Sequence, residues 1–142
     1  MKKKNKIENY VKLFESLNLK NLHKFDKLLD ENIYFEDPFN KVYGIENFKR
    51  IFFNTLKKLD NVEFNVINVI TKNNIYIIKW EMIFFAFNKS NSIFGLSEVT
   101  VSKSKKIISH IDYWDSYNNF YTKIPIFGLI FQFVLGLVRK RI

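Results

Sequence analysis

The sequence predicts an α+β fold, with helices first and a mainly antiparallel sheet after them. The period of the apolar residues predicts it. They recur at helical spacing as far as Leu59 and at every second position from Val62 onward. The second observation is punctuation. Asp37-Pro38, Gly44, Asn73-Asn74 and Ser104-Lys105 fall where those patterns break, and the links between the later segments are short.

Ile7, Tyr10, Val11, Phe14 and Leu17 lie on one face of a first helix, with Lys6, Glu8, Lys12 and Glu15 between them. Asn18 stands as a cap for a second helix carrying Leu22, Phe25, Leu28 and Leu29. Ile33 to Glu36 reads as a short strand stopped at Asp37-Pro38, because proline lacks a ladder donor and disfavours helix in the residue before it. Gly44 opens a third helix with Ile45, Phe48, Ile51, Phe52, Leu56 and Leu59 on its buried face. Four strands follow: Val62 to about Thr71, Ile75 to Phe87, Phe94 to Ser102 and Lys106 to Asp115. Asn73-Asn74, a polar loop from Asn88 to Ser92, and Ser104-Lys105 join them, so an antiparallel meander is the economical topology.

The whole chain, 1–142, is expected to form one domain, with a basic extension at 1–6 and an apolar segment at 124–142. In that segment Ile124 to Val138 is almost wholly apolar and Arg139-Lys140-Arg141 closes it. It is too short to span a bilayer, which needs about 20 residues. Pro125 suits a first helical turn. The expectation is a helical or broken-helical segment docked on the domain, with contact to a membrane surface as the second reading.

Composition bounds the function classes. The 142 residues are 47% hydrophobic and 18% aromatic, which supplies a sizeable core and excludes a disordered chain. The net charge of +9 comes mainly from lysine; Arg50, Arg139 and Arg141 are the arginines. Sequence-reading nucleic-acid binders lean harder on arginine forks, so no nucleic-acid partner is expected. The absence of cysteine excludes disulfides, thiolate zinc sites and cysteine nucleophiles. His23 and His110 lack ligand spacing, and the four glycines form no phosphate loop, so neither metal nor cofactor is expected. No apolar stretch follows the lysine-rich start, so no signal peptide is read and a cytoplasmic location is expected, peripheral to a membrane if the tail touches one.

Several segments carry a resemblance. Tyr34-Phe35-Glu36-Asp37-Pro38-Phe39 is followed by Gly44, Trp80 sits in the long middle strand, and Ile107 to Asp115 forms the last strand. Together they resemble the SnoaL-like branch of the nuclear-transport-factor-2-like superfamily over about residues 7 to 141. The tail from Phe120-Tyr121 through Pro125 and Gly128 to Arg141 is similar to that of a bacterial subgroup. The resemblance implies a cone-shaped α+β barrel: three helices against a curved sheet whose concave face encloses an apolar pocket. It is specific for fold, because this fold hosts isomerases, cyclases, dehydratases, epoxide hydrolases and non-enzymatic adaptors.

Strand alternation puts His110, Asp112 and Trp114 on one face. The resemblance implies that Asp112 is a general base, since SnoaL-type cyclases use an aspartate two residues after the strand histidine; the other reading is that it accepts hydrogen bonds from neighbouring groups and only orders the strand. Burial in apolar surroundings penalises a charged carboxylate and equips it to move a proton near neutral pH. Asp37 resembles in placement the proton-shuttling aspartate of ketosteroid isomerases; as Asp-Pro it is also ordinary turn chemistry. Trp80 and Met82 share a strand face as pocket wall or core. Tyr10 and Phe14 share a helix side, where Tyr10 could donate to a ligand oxygen or simply pack. Three readings follow: a cofactor-independent isomerase, cyclase or hydrolase acting on an apolar ligand; a non-catalytic domain that holds such a ligand or serves as an adaptor; and a homodimer paired through the convex face of the sheet.

Overall fold

The computed structural model describes residues 6–123 and 125–139; the basic start at 1–5, Ile124 and the closing Lys140-Arg141-Ile142 lie outside them. Helix α1, Lys6–Glu15, buries Ile7, Tyr10 and Leu13 and exposes Glu8, Asn9 and Lys12, as its periodicity requires. Its buried side lies over strand β3, Asp60–Lys72.

The expected second helix is a 3-10 helix, Leu22–Lys27, and Leu29 belongs to the strand that follows. The cause is a claim by the sheet on the backbone. The Leu28 carbonyl accepts the Ile107 amide at 3.0 Å, so the chain turns extended before an α-helical turn can form. Asn18 does not cap this helix. The cap position is Asn21, whose side-chain oxygen accepts the Asn18 amide at 2.9 Å.

Strand β1, Leu29–Glu36, is longer than the Ile33–Glu36 expected, and a three-residue strand β2, Lys41–Tyr43, pairs with it. Helix α2, Ile45–Lys58, starts at Gly44, whose φ of 88° lies in the region that favours glycine. Phe48 and Phe52 are its buried residues, and Ile45, Ile51 and Leu56 pack partly buried against the same core.

Strands β3, β4 (Ile75–Ala86), β5 (Lys89–Val101) and β6 (Ile107–Trp114) form the expected antiparallel meander. The polar loop expected at Asn88 to Ser92 is instead a two-residue turn at Phe87-Asn88, with φ of 55° and 58°, and β5 begins at Lys89. Positive φ at both central residues matches the twist of a hairpin, and here the phenylalanine adopts it against its steric preference. The sheet order is β2-β1-β6-β5-β4-β3, with β1 parallel to β6. The sheet is curved and unclosed, as a cone open at one seam.

The core lies between the helices and the concave face. Tyr10, Phe25, Phe35 and Phe48 are fully buried. Their rings and those of Phe14 and Phe52 meet at centroid separations of 4.9 to 6.2 Å, mostly edge to face. Such pairs add about 0.5–1.5 kcal/mol each beyond burial, so this cluster fixes how the helices sit on the sheet.

After β6 come α3, Ser116–Asn119, a 3-10 turn at Tyr121–Lys123, and α4, Pro125–Arg139. The tail is therefore helical. It packs against the 3-10 turn, and among its described side chains Leu129 and Phe133 are 72% and 70% exposed. No helix among the described residues is long and apolar enough to cross a membrane.

Candidate active site

The concave face closes around a cavity of about 620 Å³. Its walls come from both faces of the core: Tyr10 and Phe14 from α1, Phe52 from α2, Phe64 from β3, and the inward residues of β4, β5 and β6. All eight residues singled out from the sequence line it: Tyr10, Phe14, Asp37, Trp80, Met82, His110, Asp112 and Trp114. Strand alternation explains the grouping. Trp80 and Met82 point inward from β4, and His110, Asp112 and Trp114 from β6, all into one space.

The inward face is mostly apolar, and one polar line crosses it. Trp80 Nε1 donates to Ser97 Oγ at 2.7 Å, and Ser97 Oγ donates to Asp112 Oδ1 at 2.5 Å. His110 Nε2 lies 2.7 Å from the same oxygen, and Tyr10 Oη lies 2.5 Å from His110 Nδ1. Counting donors orders the line. The Tyr10 hydroxyl has His110 Nδ1 as its partner, and its proton is held firmly: burial, and after it the nearby Asp112 carboxylate, push its pKa well above the usual value. Tyr10 therefore donates, Nδ1 accepts, and Nε2 carries the proton given to Asp112. Every link then has one donor and one acceptor.

Asp112 Oδ1 thus takes two hydrogen bonds. Among the described residues, Oδ2 takes none, yet no side-chain oxygen is both buried and unpartnered. Oδ2 is accordingly open to the cavity, with the side chain 14% exposed. The Trp114 indole N–H, two residues further along the same face, also lacks a partner among the described residues.

Asp37 sits differently. Its Oδ1 accepts the Phe39 amide at 2.7 Å and the Asn40 amide at 2.6 Å, and the Asn40 side-chain amide reaches both carboxylate oxygens at 3.0 Å. It caps the turn between β1 and β2 at the cavity rim. The structure brings Asp37 to the cavity but not to the polar line.

Sequence reasoning missed Ser97 and Gly95. Trp80, Gly95 and Trp114 are cross-strand partners in a row, and a Cβ on Gly95 would meet the Trp80 ring at 2.3 Å. Glycine is what lets the indole lie across β5 and reach Ser97. The signal was present: Ile93, Gly95, Ser97 and Val99 are one face of β5, and a glycine and a serine interrupt an otherwise apolar run. His23 is exposed, away from the cavity. Among the described residues no three His, Asp or Glu side chains stand together as a metal site.

The fold has known counterparts. An NTF2-like protein of unknown function from Exiguobacterium sp. 255-15 superposes with a TM-score of 0.67 at 13% identity, covering 78% of this chain and 98% of that one. A candidate isomerase of the SnoaL-like family from Agrobacterium tumefaciens C58 gives 0.65 at 14% identity, covering 78% and 94%. A protein with a ketosteroid isomerase-like fold from Catenulispora acidiphila, in complex with trimethylamine, gives 0.67 at 11% identity, covering 79% and 86%. At these identities the likeness shows the fold, which is the NTF2-like, SnoaL-like one. No curated protein matches the sequence. The family model for an uncharacterized conserved protein, DUF2358, matches residues 8–110, from the first turns of α1 to the histidine of the polar line; the chain belongs to that family.

Proposed function

We propose that the cavity binds an apolar small molecule and that Asp112 moves a proton on it as general base. The observation that carries this reading is the asymmetry of Asp112: Oδ1 is held by Ser97 and His110, and Oδ2 is open to a mostly apolar cavity. A base held on one side and free on the other is oriented without losing its reactive lone pair. His110 is a positioning residue, fixed in its turn by Tyr10. Trp114 stands two residues from Asp112 on the same strand face, their backbones roughly 7 Å apart along it. That spacing suits a ligand whose oxygen meets Trp114 while a carbon-bound proton faces Oδ2. For a ketone with a carbon–carbon double bond one carbon further on, the proton on the carbon next to the carbonyl passes to Oδ2, the electron pair moves onto oxygen as a dienolate, and Oδ2 returns the proton to the far carbon, which shifts the double bond into conjugation.

The test is deuterium exchange into a panel of cyclic and aromatic ketones in D2O, alongside binding by thermal shift. Asp112→Asn is expected to retain binding and lose enzyme-dependent exchange. Equal exchange by both proteins would sink the assignment. Binding without exchange in the wild-type protein would favour the second reading, a non-catalytic carrier, which the apolar walls support.

Pairing through the convex sheet face is a further reading of the assembly. Phe94, Leu96 and Tyr113 lie there, each more than two-fifths exposed. Sedimentation at twice 17.1 kDa, lost on Leu96→Lys, would support it, and a monomer at micromolar concentration would end it.

A further inference from the structure

Helix α4 exposes one continuous apolar face. Leu129, Ile130, Phe133, Val134, Leu137 and Val138 are 48% to 72% exposed. At 100° per residue they fall within one half of the helix circumference. The opposite half carries Leu135 and Gly136, both partly buried. A 15-residue helix is roughly 22 Å long, too short to cross a hydrocarbon core of about 30 Å, so this face has to be covered along its length.

A second observation points the same way from another part of the chain. Phe39, Phe87 and Phe120 line the cavity and are nevertheless 46%, 75% and 44% exposed. They come from the β1–β2 turn, the β4–β5 turn and the segment just before α4. Phe39 and Phe120 are in ring contact at 4.9 Å, and Lys123, in the turn that leads into α4, lies 3.4 Å from Asn91 near the start of β5. The exposed phenylalanines therefore rim the cavity at the end from which α4 departs.

Charge selects among occupants. Lys89 and Lys123 are exposed at this end, and Arg139, exposed at the far end of α4, is followed in the sequence by Lys140 and Arg141. Asp37 and Asp115 nearby are spent on local caps. A second copy would bring the same basic groups, on a chain of net charge +9, against themselves. An anionic lipid surface accepts both the apolar face and the charge.

We infer that α4 and the phenylalanine rim dock on an anionic phospholipid surface, with the helix lying in the interface and the cavity mouth facing lipid. This does not depend on proton transfer by Asp112. Any apolar ligand would then enter from the bilayer without crossing water.

The experiment is flotation of the full chain with vesicles of equimolar phosphatidylglycerol and phosphatidylcholine, or of phosphatidylcholine alone, at low and high salt. The protein is expected to float with the anionic vesicles at low salt and to lose most of that binding in high salt or without phosphatidylglycerol. The double variants Phe133→Gln/Leu137→Gln and Leu129→Gln/Val134→Gln, checked for an unchanged melting temperature, should each lower the bound fraction about tenfold. Two pairs are used so that a folding failure in one leaves the other informative. Absence of flotation, flotation untouched by both variants, or equal binding to neutral vesicles would overturn the inference. A dimer that both variants dissolve in the absence of lipid would overturn it too, by assigning the face to a second copy.

Discussion

Two regions of the cavity wall each present an aspartate, and they use it in opposite ways. At the rim, Asp37 spends its carboxylate on two backbone amides and the Asn40 side chain. On the inner strands, Asp112 rests one oxygen on Ser97 and His110 and leaves the other open. Both residues line the same space. Proximity to a cavity therefore does not make a carboxylate available for chemistry. What matters is how many of its lone pairs the fold has already taken, and a turn takes more of them than a strand does, because a turn leaves unpaired backbone amides beside the side chain. Perturbing each region in turn tests that difference.

The largest effect is expected at Gly95. An added Cβ would lie 2.3 Å from the Trp80 ring, so Gly95→Ala must expel the indole from its place over β5. Overpacking of this kind costs typically 1–3 kcal/mol, and loss of the Trp80–Ser97 bond adds to it. A urea melt should show a loss of about 3 kcal/mol. A variant as stable as wild type would mean that the inner line is not held in place by packing.

Asp112→Ala comes next. It leaves the Ser97 hydroxyl and the His110 Nε2–H without an acceptor in a site where both are buried. Unmade buried hydrogen bonds cost about 1–3 kcal/mol, and a loss near 2 kcal/mol is expected. Asp112→Asn keeps an acceptor oxygen and should lose less, which separates the structural from the chemical role of the carboxylate.

Much of this was legible in the sequence. The change of period near residue 60 marked the helical half and the meander, and alternation along Ile107 to Asp115 put His110, Asp112 and Trp114 on one face. What was not legible depends on partners distant in the chain. Leu28 reads as helical until Ile107 takes its carbonyl. Strand β2 has three residues and too little pattern to register. The role of Ser97 depends on its register between Ile78 and Asp112, which no local pattern specifies. The tail was expected to lie on the domain and still to leave apolar surface over; six of its described side chains are exposed, and what covers them is not written in any local pattern.

Tyr10→Phe should have a smaller effect with a pH signature. It removes the donor to His110 Nδ1 and should cost about 1 kcal/mol at neutral pH. Burial holds the folded-state pKa of Tyr10 above its unfolded value. The unfolded chain therefore releases the proton first as pH rises, near pH 10, and from there the folded state loses stability until the folded group ionises as well. Below that point this contribution is fully present. Urea midpoints measured from about pH 8 to 11 should fall more steeply in the wild type than in Tyr10→Phe. Parallel curves would mean that Tyr10 is not held as the buried donor at the end of the line.

The smallest effect is expected at Asp37, and it bears most directly on the contrast between rim and strand. Asp37→Asn retains an oxygen at the position of Oδ1, so the amides of Phe39 and Asn40 keep their acceptor. What is lost is the charge and the second contact to the Asn40 side chain, on a residue that is only partly buried. The stability change should be a few tenths of a kcal/mol, within the usual range for substitutions that leave such features intact. If the rim aspartate is only a turn cap, ketone exchange by this variant should match the wild type while Asp112→Asn shows none. If exchange is lost in Asp37→Asn and the melt is unchanged, the carboxylate at the rim takes part in the chemistry despite its turn bonds. In that case the count of spent lone pairs does not decide which of the two aspartates is the base.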